Sequence, residues 1–289
     1  MKIQLAEHYG LCFGVRDAIA QAERLATQAP LTILGELVHN PIVRERLAAL
    51  GVREGSLHNR KDATPQVMIT AHGASDAKRQ EWRLSGFGVA DGTCPLVRHA
   101  HDQLKQLVAC GYHPVVIGQR GHVEVQGLVG DFPNAIVVQQ PVDIATLPQE
   151  VRLGVISQTT QPIEHVQALV EAIRSARPEQ EVKFCDTVCQ PTKRRQVALR
   201  KLIAECDTLV VVGGRNSNNT LQLVAAATVA GRTVFHIERA EELQPEWFSD
   251  SEEVGITAGT STLKETVAAV QQRLELIANQ LGEKVQQAA

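Results

Sequence analysis

Three cysteines stand at the same place in a repeated pattern, each after a short apolar strand and before a helix. They are Cys12, Cys94 and Cys189. The distance from cysteine to the glycine that closes the next strand is nearly constant, at 35 − 12 = 23, 118 − 94 = 24 and 213 − 189 = 24. Four residues beyond each of these glycines stands a polar residue, namely His39, His122 and Ser217. This spacing predicts three equivalent units that each contribute a thiol and a polar group to one site.

The spacing between the cysteines, 94 − 12 = 82 and 189 − 94 = 95, matches no local metal-binding motif. A single such cysteine is more often an inert buried thiol than a ligand. The repeat favours ligation instead, and three converging thiolates suit an iron-sulfur cluster or zinc. A four-iron cubane held by three cysteines would leave one iron open to a substrate oxygen. Cys110 and Cys206, each at a helix end before a strand, are interpreted as buried structural residues, and Cys185 as packing, with ligation as its alternative.

Polar side chains at the strand ends could bind a phosphate or diphosphate through hydrogen bonds, helped by glycine-bordered backbone N–H groups. Taken singly, each would be read as a surface or capping residue. Their matched placement beside the cysteines favours binding. They are His39, His72, His122, Ser217, Asn219 and Ser261. Asn40, in contrast, is expected only to cap the following helix.

One carboxylate stands among these loops. Glu124 lies two residues from His122, where it could relay a proton to a departing hydroxyl, and Thr159 or Thr160 could pass that proton on. The alternative is a solvated glutamate in a salt bridge. The basic run Lys193–Arg195 is interpreted as an exposed helix face.

The periodicity predicts an α/β protein of three pseudo-threefold-related units, each a small parallel sheet between helices, around a central metal site. The predicted units are 13–93, 94–188 and 189–281, with the strand in 1–12 completing the third and 282–289 forming a tail. The stretch Val182 to Asn219 reads as strand, helix and strand, the pattern of one parallel βαβ unit.

Composition excludes several classes of protein. Lys plus Arg is 29 against Asp plus Glu 32, a net charge of −3, so nothing favours binding to nucleic acid or to an anionic membrane. Residues 1–10 lack the apolar core of a secretory signal, and no apolar run is long enough to span a membrane. We therefore expect a cytoplasmic protein, whose six cysteines are free thiols or ligands.

At the residues named above, the sequence resembles the 4-hydroxy-3-methylbut-2-enyl diphosphate reductases, iron-sulfur enzymes that end the non-mevalonate route of isoprene biosynthesis. The likeness runs along nearly the whole chain. The matching motifs are Gly10-Leu11-Cys12-Phe13-Gly14-Val15, Val38-His39-Asn40, Ala71-His72-Gly73, Thr93-Cys94-Pro95, Gly121-His122 with Glu124, Gln158-Thr159-Thr160, Cys189 with Arg195-Gln196, Asn216-Ser217 with Asn219, and Ala258-Gly259 with Ser261.

The resemblance implies a role for each site residue. Cys12, Cys94 and Cys189 would hold a [4Fe-4S] cluster. The diphosphate would be bound by His39, His72, His122, Ser217, Asn219 and Ser261, and by Asn218, whose side chain differs from the family's at that position. Glu124 would be the proton source and Thr159 would lie by the substrate hydroxyl. A ferredoxin- or flavodoxin-like protein would supply two electrons.

Two other hypotheses remain at this stage. One is a paralogue that reduces another allylic or phosphorylated substrate. The other is a non-enzymatic cluster-bearing sensor or a three-cysteine zinc protein. Glu124 and the neighbouring threonines argue against the second, because a sensor needs no positioned proton source.

Overall fold

Short apolar strands alternate with amphipathic helices along the whole chain. The computed structural model describes residues 1–149 and 151–288, with side chains as far as residue 282. The strands are β1 (Lys2–Leu5), β2 (Leu31–Ile33), β3 (Arg53–Glu54), β4 (Gln66–Ile69), β5 (Gly88–Asp91), β6 (His113–Ile117), β7 (Ile136–Val138), β8 (Leu153–Ser157), β9 (Val182–Phe184), β10 (Thr208–Val212), β11 (Thr233–Ile237) and β12 (Glu253–Ala258). The helices are α1 (Phe13–Ala26), α2 (Pro41–Ala49), α3 (Asp76–Leu84), α4 (Pro95–Ala109), α5 (Val123–Val129), α6 (Ile163–Ala176), α7 (Gln190–Glu205), α8 (Asn218–Val229) and α9 (Lys264–Ala288).

The strands form three sheets of four parallel strands with one shared topology. Their orders are β3-β2-β4-β5, β7-β6-β8-β9 and β11-β10-β12-β1. In each sheet, the first strand of the repeat has the second strand on one side. On its other side lies the third strand and then the fourth. The first strand of the chain, β1, takes the fourth place in the third sheet, pairing Lys2 with Glu253. The predicted α/β class and its three parallel sheets are therefore confirmed.

The central strands are buried on both faces, as parallel strands covered by helices must be. In β10, Val210 and Val212 pack into one hydrophobic cluster with α9. Leu209 and Val211 point the opposite way, into a second cluster with α7 and α8. The two-residue alternation of a strand thus serves two helical layers.

The stretch Val182 to Asn219 is not one βαβ unit, so that prediction is wrong. β9 pairs with β8 in the second sheet, whereas β10 pairs with β11 and β12 in the third. The helix between them, α7, therefore connects two sheets instead of crossing over one. A helix between two sheets and a helix within one sheet have the same sequence pattern of strand, helix and strand. The pattern therefore does not show which strands are hydrogen-bonded to each other.

The chain divides into two compact units. One contains Met1–Cys12, His39–Ile42 and the described residues from Gln190 onward, and the other contains Phe13–Val38 and Val43–Cys189. The boundaries 13–93, 94–188 and 189–281 stay a prediction.

The last helix, α9, continues to Ala288 and so runs through most of the segment 282–289 that was set apart as a tail. Ala289 itself lies outside the described residues. Of the helices in the described part of the chain, none combines the length and apolar character needed to cross a membrane.

Candidate active site

Each of the three cysteines is held by the same backbone hydrogen bond. The N–H groups of Cys12, Cys94 and Cys189 donate to the carbonyl oxygens of Thr260, Ala71 and Thr159, at 3.0, 3.0 and 2.9 Å. Each acceptor lies two residues beyond the end of the third strand of its sheet, β12, β4 or β8. All three thiols are half-buried. The three repeats are therefore alike even in single hydrogen bonds, and each cysteine lies at an equivalent junction between a strand and a helix.

Cys94 also lies unusually close to a glycine. A Cβ atom on Gly14, in the first turn of α1, would fall 2.3 Å from the Cys94 Sγ. That distance is far below van der Waals contact, so the thiol occupies space that only glycine leaves open at this position. Thr93, the residue before Cys94, is fixed by buried Arg79, whose Nη2 donates to the Thr93 Oγ1 at 3.1 Å. The same threonine donates to Asp91, so charged residues brace the chain before the cysteine.

The remaining cysteines differ from one another. Cys206 is buried, as predicted, and burial raises its pKa to about 11, which keeps the thiol protonated and inert. Cys185 packs against a hydrophobic cluster as a half-buried residue. The prediction that Cys110 is buried is wrong: it ends α4 and is exposed. The last residue of a helix is buried only when its position on the helix turns it toward the protein core, and that of Cys110 turns it toward solvent.

The three cysteines have the right chemistry for an iron-sulfur cluster, since none of them is bonded in a disulfide. Within the described residues, no three His, Cys, Asp or Glu side chains are grouped as ligands of a single metal ion. In a four-iron cluster each cysteine binds a different iron, so a grouping around one ion is not what such a cluster requires. The open space at Gly14 and the shared hydrogen bonds are consistent with thiols held ready for ligation.

Glu124 is the one aspartate or glutamate among the buried residues of the described chain, with 2% of its surface exposed. It lies in the first turn of α5, and its Oε1 accepts the Thr159 N–H at 2.6 Å. Burial raises the pKa of its carboxyl from 4.5 to about 7, while hydrogen bonds from the Thr159 backbone and side chain oppose that rise. The carboxyl can therefore hold or release a proton near neutral pH. The predicted alternative, a solvated glutamate, is wrong.

His122 precedes α5 and caps it. Its Nδ1 accepts the Glu124 N–H at 3.1 Å, so the neutral ring carries its proton on Nε2 and can donate it. The ring packs edge-on against His72, with 5.6 Å between the centroids. Two imidazoles and the buried carboxyl are thus neighbours within one compact unit.

One residue, Thr159, joins the acid to a cysteine. Thr159 donates its N–H to Glu124 and accepts the N–H of Cys189 at its carbonyl. In the third repeat Thr260 does the same, because its N–H donates to the Asn219 Oδ1 at 3.0 Å and its carbonyl accepts the Cys12 N–H. Glu124 and Asn219 both stand six residues after the strand-closing glycine. A carboxyl in the second repeat and an amide in the third therefore occupy the same structural position.

A second group of the predicted residues surrounds His39. The Ser261 hydroxyl donates to the His39 carbonyl at 3.2 Å, and the Asn40 Nδ2 donates to the Ser261 carbonyl at 2.7 Å. Gly214 lies so close that a Cβ there would be 2.3 Å from the His39 oxygen. The Asn40 Oδ1 also accepts the Ile42 N–H, so Asn40 caps α2 as predicted, but its hydrogen bond to Ser261 shows that capping is not its only role.

Ser217 caps α8 by accepting the Thr220 N–H at 3.4 Å, and Asn218 accepts from the Gln222 amide at 3.4 Å. Ser217 and the first two residues of α8, Asn218 and Asn219, are all buried at the start of the helix, which presents N–H groups and favours an anion. The structure thus brings together His39, Ser217, Asn219 and Ser261 in one compact unit, and His72, His122, Glu124 and Thr159 in the other.

Arg195 is a residue whose role the sequence analysis missed. It is 5% exposed, so its prediction as part of an exposed helix face is wrong. Its guanidinium donates to the carbonyl oxygens of Gly10 and Pro191, the latter at 2.8 Å, and so ties α7 to the loop before Cys12. The signal was present, because Arg195 lies on the same helical stripe as buried Ala198, Leu199 and Leu202.

Comparison with known proteins identifies the family of this chain. A family model described as LytB protein matches residues 3–275. A 4-hydroxy-3-methylbut-2-enyl diphosphate reductase from Aquifex aeolicus is 37% identical over 281 residues, covering 95% of this chain and 96% of that protein. The reductase of the same name from Geobacter sulfurreducens is 36% identical over 278 residues, covering 95% and 97%.

Two solved structures are also similar. The Plasmodium falciparum E-1-hydroxy-2-methyl-but-2-enyl-4-diphosphate reductase matches with a TM-score of 0.88 at 25% identity, covering 95% of this chain and 87% of that one. A second structure, of an (E)-4-hydroxy-3-methyl-but-2-enyl diphosphate reductase described as the terminal enzyme of the non-mevalonate pathway, matches with a TM-score of 0.68 at 36% identity, covering 95% and 99%. The chain therefore belongs to the LytB protein family and is an oxidoreductase.

Proposed function

We propose that this oxidoreductase removes the hydroxyl group of 4-hydroxy-3-methylbut-2-enyl diphosphate, giving isopentenyl and dimethylallyl diphosphates. One substrate, two electrons and two protons yield one product and one water, so the C–O bond breaks and the carbon chain is reduced. The observation that carries the proposal is the buried Glu124 carboxyl, which accepts the N–H of Thr159, the same residue whose carbonyl accepts the N–H of Cys189. One residue, Thr159, is thereby hydrogen-bonded both to a candidate proton source and to a candidate metal ligand.

Cys12, Cys94 and Cys189 would hold a [4Fe-4S] cluster. When bound, such a cluster supplies electrons and a Lewis-acidic iron without a protein ligand. The equivalent hydrogen bonds at the three cysteines support this assignment, and so does the space that Gly14 leaves for the Cys94 sulfur. Anaerobic purification tests it: about three to four irons per chain are expected, and a colourless protein containing zinc would contradict it.

The diphosphate would be bound by neutral donors, because no cationic side chain belongs to the proposed set. The set consists of His39, His72, His122, Ser217, Asn218, Asn219 and Ser261. The first turn of α8 supports this role through its N–H groups, and His122 supports it through the donor at Nε2. Hydroxyl, amide and imidazole donors suit phosphate oxygens because together they satisfy many lone pairs without burying a permanent charge.

Glu124 would deliver the proton that turns the substrate hydroxyl into water. A carboxyl with a pKa of about 7 is protonated in a large share of molecules at neutral pH, yet it still gives up its proton readily. Thr159 holds the carboxyl in place through its N–H and would place its own hydroxyl beside the substrate oxygen. His122 would fix α5, and with it Glu124, while contacting the diphosphate.

The electrons would come from a ferredoxin- or flavodoxin-like protein, and the enzyme would work in the cytoplasm. Turnover with reduced methyl viologen tests the reaction without that partner. We expect higher kcat/KM for 4-hydroxy-3-methylbut-2-enyl diphosphate than for other allylic diphosphates. Preference for a different allylic diphosphate would instead identify a paralogue with another substrate.

A further inference from the structure

Two arginines hold equivalent places on the loops that lead to the proposed site residues. Arg120 and Arg215 each stand two residues after a strand-closing glycine, as the second residue of the turns 119–122 and 214–217. In each turn, the N–H of the fourth residue donates to the carbonyl of the first, at 3.1 and 3.0 Å. That fourth residue, His122 or Ser217, also caps the helix that follows. The turns of the second and third repeats are therefore alike.

The arginine of the second repeat is bound to the segment after β7. Its backbone N–H donates to the Gln139 Oε1 at 2.9 Å, and its Nη2 donates to the Asp143 Oδ1 at 2.9 Å. The other oxygen of Asp143 accepts the N–H groups of Gln139 and Gln140, both at 2.9 Å. One carboxylate thus fixes both the guanidinium and the residue that accepts the backbone N–H. We call Arg120, Gln139 and Asp143 the Arg120 clamp.

The arginine of the third repeat makes the same contacts with the segment after β11. Its backbone N–H donates to the Glu238 Oε1 at 2.8 Å, and its Nη2 donates to the Glu242 Oε2 at 2.6 Å. The other oxygen of Glu242 accepts the N–H groups of Glu238 and Arg239, at 2.8 and 2.9 Å. We call Arg215, Glu238 and Glu242 the Arg215 clamp. At the matching position of the first repeat stands Leu37, whose side chain has no donor.

The clamps are more than exposed ion pairs, which by themselves contribute little to stability. The two arginine side chains are indeed exposed, at 62% and 60%. In each clamp, however, a backbone N–H of the turn is bonded as well, so the contact restricts the backbone that ends at a site residue. The acceptor of that N–H is a glutamine in one clamp and a glutamate in the other, so the contact recurs although the residue type does not.

The two clamped turns lead to different parts of the proposed site. The turn 119–122 ends at His122 and is followed in α5 by the buried acid Glu124. The turn 214–217 ends at Ser217 and is followed in α8 by Asn219. The first turn lies in one compact unit and the second in the other. A change in one clamp should therefore leave the other turn as it is.

We propose that Arg120 and Arg215 are positioning residues with different tasks. The Arg120 clamp positions the acid Glu124, and the Arg215 clamp positions the diphosphate-binding groups of Ser217 and Asn219. This inference rests on the proposed function. Loss of the Arg120 clamp lowers kcat, because the proton is delivered from a less well-placed carboxyl. Loss of the Arg215 clamp raises KM and leaves kcat nearly unchanged, because it weakens binding and not proton transfer.

The test compares two matched double variants of the iron-loaded protein. One combines Arg120→Met with Gln139→Ala, and the other combines Arg215→Met with Glu238→Ala, so that each loses the guanidinium and the acceptor of the backbone N–H. Arg174→Met, which removes an exposed arginine from an ion pair on α6, is the control and should behave like the unmodified protein. Turnover with reduced methyl viologen gives kcat and KM. Titration calorimetry without reductant gives the Kd of inorganic diphosphate.

For the Arg215 variant, we expect KM and the Kd of diphosphate to rise roughly tenfold, with kcat within about twofold of the unmodified protein. For the Arg120 variant, we expect kcat to fall roughly tenfold. These factors follow because one hydrogen bond is worth roughly two- to tenfold and each variant loses two of them. Glu238→Gln keeps an acceptor for the backbone N–H, as Gln139 does in the other clamp, and should bind diphosphate nearly as well as the unmodified protein.

The proposal is overturned if both double variants change kcat and KM by the same factors, or if neither variant differs from the control. It is also overturned if Glu238→Gln weakens diphosphate binding as much as Glu238→Ala does. Where a double variant does not fold, the single changes Gln139→Ala and Glu238→Ala give the same comparison with both guanidiniums in place. An unmodified protein that neither binds diphosphate nor turns over with viologen would instead refute the proposed function.

Discussion

Replacing Glu124 by glutamine removes one ionisable proton while it keeps an oxygen that can accept the Thr159 N–H. The carboxyl has a pKa of about 7 in the folded protein, against an ordinary value of 4.5, because burial disfavours its charged form. If Glu124 delivers the proton, turnover of Glu124→Gln should fall by about 10² to 10⁴, the usual contribution of a positioned acid. The iron content should stay that of the unmodified protein.

The pH dependence gives a sharper test than the loss alone. In the unmodified protein, the protonated fraction of Glu124 is about one half at pH 7 and about one tenth at pH 8. Turnover supported by reduced viologen should therefore fall with an apparent pKa near 7, provided that the iron content stays constant over the range. The residual turnover of Glu124→Gln should not show this fall.

The same shift predicts an effect on stability. A group whose pKa is raised on folding stabilises the folded protein fully below its unfolded pKa and loses that contribution as the pH rises through the folded value. The interval of 7 − 4.5 = 2.5 units corresponds to about 3 kcal/mol. Between pH 4.5 and pH 8, the free energy of unfolding of Glu124→Gln should therefore improve by about 3 kcal/mol relative to the unmodified protein.

Viologen oxidation from pH 6 to pH 8.5 measures the first effect, and urea unfolding at matched pH values measures the second. Glu171→Gln, at an exposed position on α6, is the matched control and should change neither. A Glu124→Gln variant with full turnover, or a flat pH profile in the unmodified protein, would refute the assignment of the acid. Parallel stability curves for the two proteins would refute the burial argument.

Three further substitutions test the supporting geometry. Gly14→Ala should displace the Cys94 sulfur, which lies 2.3 Å from the new Cβ, and so lower the iron content. Gly282→Ala, where a new Cβ has nothing within 4 Å, should leave it unchanged, and equal iron content in both variants would contradict the role given to the space at Gly14. Ser217→Ala should remove the cap of α8, at a cost of about 1 kcal/mol in urea unfolding, and raise KM for the diphosphate; an unchanged KM would remove Ser217 from the binding set. Arg195→Met should leave two buried carbonyls without their donor and cost about 1–3 kcal/mol, and an unfolding curve identical to that of the unmodified protein would contradict this role.

The sequence predicted the parts of this protein that repeat. A constant distance from cysteine to glycine located the equivalent junctions at Cys12, Cys94 and Cys189, because in parallel sheets of one topology equal spacing produces equal position. The apolar strands were found for the same reason, since a buried strand needs an uninterrupted run such as Leu209–Val212. Composition and periodicity thus sufficed for the class of fold.

Contacts between distant segments were beyond the reach of the sequence. The hydrogen bond from the Thr159 N–H to Glu124 joins a loop to the first turn of α5, and the two residues are 35 apart in the chain, so neither local sequence predicts it. The equivalence of Glu124 and Asn219 was missed because their side chains differ, although their backbone positions agree. Arg195 was misread because a run of three cations suggests a solvated face, and only the pattern of its neighbours showed which one is buried.

The central claim is that this chain reductively removes an allylic hydroxyl group. The most direct measurement is anaerobic incubation of the iron-loaded protein with 4-hydroxy-3-methylbut-2-enyl diphosphate and reduced methyl viologen, with products identified by mass spectrometry. We predict isopentenyl and dimethylallyl diphosphates, with two viologen radicals oxidised for each substrate consumed. Iron-loaded protein that leaves both the substrate and the viologen unchanged would contradict it.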